Sequence, residues 1–187
     1  MSLAANVPSG LRLLEPRRFG DERGWFAELW SDARADACGW PQRFVQDNES
    51  FSRRGVLRGL HFQKGEAAQA KLVRAAVGDV LDVCLDLRVG SPTYGQHWTV
   101  MLSADVGRQL FIPKGFAHGF IVLSDVALVC YKCDAPYAPE AEGSVNAFDP
   151  ALGIDWALPQ EFIMRSDKDI AAPDWAAYAA DPVFRLE

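Results

Sequence analysis

Short runs rich in Val, Leu, Ile and Phe recur along the chain, and each ends within a few residues at a turn signal. Such signals stand at Gly20-Asp21, Arg54-Gly55, Gly78-Asp79, Gly90-Ser91-Pro92, Pro113-Lys114-Gly115 and Asp149-Pro150. The spacing predicts an all-β sandwich or barrel, because alternating strands and helices would need longer helical-period stretches between the turns. Helices are expected only at the margins. One follows Ser31, whose side chain can cap DARADAC before Gly39 ends it, and one lies near Asp174 to Ala180. Beyond Pro136 the chain is irregular and punctuated by proline, and internal repeats and low-complexity segments are absent.

Successive side chains of a strand point to opposite faces, so several segments can be read by face. In Val80 to Leu87, Leu81, Val83, Leu85 and Leu87 share one side, expected to be core, while Val80, Asp82, Cys84 and Asp86 share the other, expected to be wet. In Ala127 to Cys133, Val129, Tyr131 and Cys133 lie opposite Leu128, Cys130 and Lys132, which lets Tyr131 project into an interior beside small neighbours. Gln46, Asn48, Ser50 and Ser52 alternate onto one face, where they either line a polar cavity or face solvent. Gly59, His61 and Gln63 share a face of the next strand, as do Gln69 and Lys71 further on. Arg58 points the other way unless Gly59 marks a bulge, which a glycine inside a strand often does.

Of the three histidines, His61 in GVLRGLHFQ and His118 in IPKGFAHGF sit in apolar, strand-like segments. Burying a titratable ring there costs free energy unless a partner compensates, so each histidine demands a partner. The third, His97 in TYGQHWTV, reads as an exposed strand residue.

The totals set the bounds. A chain of 187 residues, 49% of them hydrophobic, can bury a full core as a single domain spanning 1–187. Met1-Ser2-Leu3 has the look of an expression scar and is given no structural weight. The net charge of −6 is spread over scattered acids and bases, without the Lys/Arg run that tracks a nucleic-acid backbone, so a nucleic-acid polymer is not an expected partner. No apolar stretch approaches the roughly 20 residues of a membrane span, and no basic segment followed by an apolar one opens the chain. Four irregularly spaced cysteines do not make a disulfide scaffold, which favours a reducing, cytoplasmic setting. Cys130 and Cys133 form a CxxC, but on a strand they point to opposite faces, so one metal or one disulfide would not join them. Cys38 and Cys84 read as ordinary small residues.

The segments DERGWFAE at Asp21, QDNESFSRRGVLRGLHFQ at Gln46, QAKLVRAAVGDVLDVCLDLRVGSPTYG at Gln69, IPKGFAHGF at Ile112, YKCDAPYAPEAE at Tyr131, DPALGIDW at Asp149 and SDKDIAAP at Ser166 occur in that order. In order and spacing the chain resembles the dTDP-4-dehydrorhamnose 3,5-epimerase family over nearly its whole length, from about Leu13 to Pro173. The resemblance implies a cupin-like jelly-roll β-sandwich or barrel with a few short peripheral helices, two antiparallel sheets closing on a polar pocket. It also implies a homodimer with exchanged N-terminal strands, no cofactor, and a nucleotide-sugar substrate, a dTDP-4-keto-6-deoxyhexose.

Epimerisation beside a ketone needs a base for the α-proton, a group to stabilise the enolate oxygen and an acid on the opposite face. His61 is the best base in the chain, since an imidazole can accept and release a proton within one turnover. Outside the family, a hydrogen-bonded core histidine would be the plainer reading. The resemblance makes Asp169 the carboxylate on its other nitrogen, Lys71 the cation at the C4 oxygen and Tyr131 the acid. Outside the family, Lys71 would read as a surface lysine and Tyr131 as a core aromatic. His118 and Asp82 are expected to complete the network by orienting Lys71 or the base. Arg23 and Arg58 are the candidates for the diphosphate, because guanidinium groups bind phosphate oxygens in pairs, although either could instead serve a surface ion pair. Arg23 would act in the partner's site if strands are exchanged. Phe26, Glu28, Gln46 and Asn48 match positions that contact the nucleotide or sugar.

Two rivals differ in class. A cupin metalloenzyme would need paired histidines and a glutamate, but the chain has no HxH, so no metal is expected. A non-catalytic sugar-nucleotide binding module would account for a pocket but not for base, carboxylate and phenol together. A single-centre 3- or 5-epimerase shares the same first proton removal and is not separated by these motifs. The chain departs from the family pattern in KGEAAQ at Lys64, which lacks the usual prolines, and at Glu49 and Phe51.

Overall fold

The computed structural model describes residues 2–6, 10–37, 40 and 42–186. In chain order the first elements are β1 (Ser2–Asn6), β2 (Arg12–Glu15), β3 (Arg18–Asp21), β4 (Gly24–Ala27), α1 (Asp32–Ala37), β5 (Gln46–Arg53), β6 (Leu57–Gln63), β7 (Lys71–Val77) and β8 (Asp79–Asp86). They are followed by β9 (Arg88–Val89), β10 (His97–Ser103), β11 (Gln109–Ile112), β12 (Phe116–Val122), β13 (Val126–Cys133), β14 (Glu142–Ser144), α2 (Asp167–Ile170), α3 (Trp175–Ala180) and β15 (Phe184–Arg185).

Two antiparallel sheets face each other, one of six strands in the order β1-β2-β11-β7-β13-β5 and one of five in the order β10-β8-β12-β6-β14. The expected all-β jelly roll is what forms. The space between the sheets is packed at one end by Val73, Val80, Leu102, Leu110, Ile112, Phe120, Val122 and Val129, all at most 4% exposed. The other end of that space stays polar and holds the site described below.

The reading of β8 as half wet does not hold. Leu85 and Val83 pack under Val145, Leu152, Trp156 and Tyr178 of the C-terminal third, which covers the outer side of the five-stranded sheet. The opposite face, between the sheets, is dry as well, and Asp82 and Asp86 are both fully buried there. Each carboxylate is answered locally, Asp82 by His118 and Asp86 by the Arg88 guanidinium and the Ser91 and Thr93 hydroxyls. A one-face rule cannot anticipate a sheet covered on both sides.

The marginal helices are α1 and α3, and Cys38 and Gly39, read as the end of the first, lie outside the described residues with Met1. Helix α2 was not anticipated. Ser2 and Leu3 pair with Glu15 and Leu14 in β1, so they carry structure after all. His97 on β10 is half-buried rather than exposed. Burial holds its ring below the ordinary histidine pKa, against a hydrogen bond to the Leu152 backbone. Cys130 and Cys133 do point to opposite faces of β13, Cys133 buried and Cys130 partly open, and both are free thiols with Cys84. No helix among the described residues is long and apolar enough to cross a membrane.

Candidate active site

A bulge in β6 sets up the site. Register runs His118↔His61 and then Phe120↔Arg58, so two steps along β12 are matched by three along β6. The extra residue falls at Gly59-Leu60, and it turns Arg58 back to the side of His61, as the glycine in the strand suggested. Glycine is required there: Gly59 has φ +126°, and a Cβ would come within 2.6 Å of the Gly119 Cα. Arg58 is steadied by Ser52, whose Oγ accepts from its Nε at 3.0 Å.

His61 and Asp169 are 108 residues apart and meet at 2.5 Å, Nε2 to Oδ1. Ser166 caps α2 by accepting from the Asp169 N–H at 3.2 Å, and the cap points the carboxylate at the ring. Asp169 is only 3% exposed. Burial alone would raise its pKa, but the hydrogen bond and charge of His61, the Ser166 hydroxyl and the Gly59 N–H outweigh that and hold it below the ordinary carboxylate value. With Asp169 on Nε2, the lone pair that could take a proton lies on Nδ1.

Lys71 opens β7 directly opposite Cys133 of β13. Burial pushes its ammonium below the ordinary lysine pKa, while Cys133, Asp82, Cys84 and Glu142 pull the other way. The second pair, His118 Nε2 to Asp82 Oδ2 at 2.8 Å, belongs to the same polar interior. Burial and the neighbouring Cys133 raise the Tyr131 phenol, with Arg58 opposing, so the group is a neutral proton donor at neutral pH.

His61, Asp169, Lys71, Tyr131, His118 and Arg58 line one cavity of about 440 Å³ with Ser50, Phe120 and Lys168. It continues into a recess of about 110 Å³ walled by Gln46, Asn48, Gln63, Gln69, Tyr137 and Glu142. The alternating polar face of β5 thus points inward: Gln46 donates to Asn48 at 2.9 Å, and Asn48 donates to the Cys133 sulfur at 3.7 Å. Glu142 accepts from Tyr137 and pairs with Lys168 at the rim, 2.9 and 2.5 Å away. Burial would raise the Glu142 pKa, but those two partners lower it overall.

Three expected site residues lie elsewhere in this chain. Arg23 and Phe26 stand on the β3–β4 hairpin, Arg23 bound to Asp21 and Phe26 68% exposed. Glu28 pairs with Arg34 and lines a separate groove of about 620 Å³ on the outer face of the six-stranded sheet. That groove holds no histidine–carboxylate pair. Tyr137, Glu142, Ser166 and Lys168 were missed as site residues. The only signals for them were proximity to Tyr131 in YKCDAPYAPEAE and to Asp169 in SDKD. Among the described residues no three His, Cys, Asp or Glu side chains converge as a metal site would require.

A jelly roll whose open end gathers a histidine–carboxylate pair, a partly buried lysine and a phenol defines a cupin-like enzyme of the proton-transfer type. Known proteins narrow the class. The family model for dTDP-4-dehydrorhamnose 3,5-epimerase matches residues 7–177. The dTDP-4-dehydrorhamnose 3,5-epimerase of Pseudomonas aeruginosa is 54% identical over 158 residues, covering 84% of this chain and 86% of that one. That of Salmonella typhimurium is 52% identical over 162 residues, 86% of this chain and 88% of the other. The crystal structure of a Legionella pneumophila dTDP-6-deoxy-D-glucose-3,5-epimerase in complex with dTDP-4-keto-L-rhamnose superimposes with a TM-score of 0.89 at 47% identity. It covers 95% of this chain and 94% of that one. The chain belongs to the dTDP-4-dehydrorhamnose 3,5-epimerase family.

Proposed function

We propose that the protein inverts C3 and C5 of a dTDP-4-keto-6-deoxyhexose, giving dTDP-4-dehydro-L-rhamnose. The observation that carries this reading is the His61–Asp169 pair, set in one cavity with Lys71 and Tyr131. The C4 ketone acidifies the protons on both adjacent carbons. His61 Nδ1 takes such a proton, and the resulting imidazolium is stabilised by Asp169. Lys71 neutralises the negative charge that develops on the C4 oxygen, in a desolvated setting where a fixed cation acts strongly. Tyr131 returns a proton from the opposite face, which inverts the centre; solvent then reprotonates the phenolate and takes the proton from the His61 imidazolium, so that both groups are reset. Repetition at the second carbon completes the reaction. The His118–Asp82 pair holds the polar interior around Lys71 in place, and Arg58 receives the diphosphate, with Gln46 and Asn48 on the sugar or base side.

The catalytic unit is one domain spanning the chain, working as a homodimer with exchanged N-terminal strands. Arg23, Phe26 and Glu28 then reach the partner's cavity, which accounts for a hairpin with Phe19, Trp25 and Phe26 each more than half exposed. The free thiols suit a reducing cytoplasm.

Proton NMR of dTDP-4-dehydro-6-deoxyglucose turned over in deuterated water tests the function. Solvent deuterium should enter at C3 and at C5. Exchange at one carbon would make the protein a single-centre epimerase, and none at either would overturn the reading.

A further inference from the structure

The β3–β4 hairpin is a small two-stranded sheet of its own, and what aims it is one arginine. Arg18 donates from Nη2 to the Ala104 carbonyl at 2.6 Å and from Nη1 to the Asp105 carbonyl, both in the turn after β10. Its guanidinium also lies over the Trp25 ring, 4.1 Å from the centroid. Gly107 closes the clasp from the far side. It has φ +74°, and a Cβ there would stand 2.4 Å from Arg18 Nη2.

Register shows what the clasp controls. Arg18 pairs with Ala27, Phe19 with Phe26 and Gly20 with Trp25. Arg18 and Trp25 therefore share one face of the hairpin, and Phe19 and Phe26 share the other. Fastening Arg18 to the 104–107 turn fixes the plane of the hairpin, from whose other face Phe19 and Phe26 project, 52% and 68% exposed, while Trp25 stays 58% exposed beside the guanidinium. A guanidinium suits this task because its planar fork can serve two carbonyls while its face stacks on an indole.

We infer that Arg18, held between Trp25 and the 104–107 turn, is a positioning residue that sets the presentation of Phe26 and Arg23 to the nucleotide-binding part of the site. The inference rests on the proposed role of this hairpin in the partner's cavity. Arg18 touches no reacting atom, so its loss acts on substrate capture and leaves the proton transfers alone.

The test is a set of steady-state kinetic measurements on the full-length protein, with oligomeric state checked by size exclusion at the assay concentration. Arg18→Ala should raise KM for the nucleotide sugar by about fivefold or more with kcat within about twofold. Arg18→Lys, which keeps the charge and loses the fork, should behave like Arg18→Ala. Gly107→Ala displaces the guanidinium with Arg18 intact and should raise KM in the same direction, which keeps the idea testable if Arg18→Ala folds poorly. In a background carrying both Phe26→Ala and Arg23→Ala the Arg18→Ala effect should shrink to less than about twofold, since Arg18 acts through those two residues. A general loss of stability would add in both backgrounds. If Phe26→Ala raises KM while Arg18→Ala and Gly107→Ala leave it unchanged, the clasp is overturned and the hairpin's role stands. If Phe26→Ala and Arg23→Ala both leave KM unchanged, the hairpin does not serve the site and both readings fall.

Discussion

Replacing Asp169 by Asn removes one charge from the site at nearly constant volume. The carboxylate is 3% exposed and sits 2.5 Å from His61 Nε2. The charge centres of an imidazolium and a carboxylate so paired are about 4 Å apart, an attraction of about 4 kcal/mol at an effective dielectric of about 20. In the proposed mechanism that attraction exists only after His61 has accepted the substrate proton, so its loss should fall on the transition state and spare binding. At about 1.4 kcal/mol per decade, kcat should drop by about three decades. An amide adds to the loss, since it can present its NH2 to Nε2 and favour the tautomer whose lone pair faces away from the substrate. Coupled turnover gives kcat, and proton NMR in deuterated water gives the exchange rate at each carbon. Calorimetry with dTDP gives binding, expected within about tenfold of the parent. A kcat within about tenfold of the parent, or a loss that appears in dTDP affinity instead, would refute the pairing as the source of catalysis.

Tyr131→Phe removes the proposed acid but not the proposed base, so solvent exchange at the substrate carbons should persist while formation of inverted product falls by about a hundredfold or more, read in one NMR experiment. Equal loss of both would assign Tyr131 to binding. Asp86→Ala opens the buried cluster with Arg88, Ser91 and Thr93 and should cost about 3–5 kcal/mol in urea unfolding, with kcat of the folded fraction unchanged. The depressed pKa of Asp169 makes stability fall in acid. Its contribution is whole above about pH 4, the unfolded carboxyl value, and is lost as pH drops through the lower folded value. Asp169→Asn should flatten that acid limb, and superimposable acid-unfolding curves would count against it.

The period-two patterns of β5 and β13, the turn signals and the placement of His61 and Tyr131 on strands were all legible along the chain, because they depend only on neighbours a few residues away. Even the β6 bulge could be read, since Gly59 lies beside the Arg58 it reorients. What no local pattern contained was which side of each strand would be dry. Asp82 and Asp86 read as solvent-facing until the C-terminal third covers one side of β8 and the second sheet covers the other. The 108-residue separation of His61 from Asp169, and the approach of Glu142 and Lys168 to the cavity rim, likewise exist only when the loops after β13 fold back over the sheets. Burial, pKa and partnership are set by atoms distant in sequence. The chain by itself determined which residues could do chemistry and on which strand face they would stand, and only the tertiary structure decided which of them meet and in how dry a place.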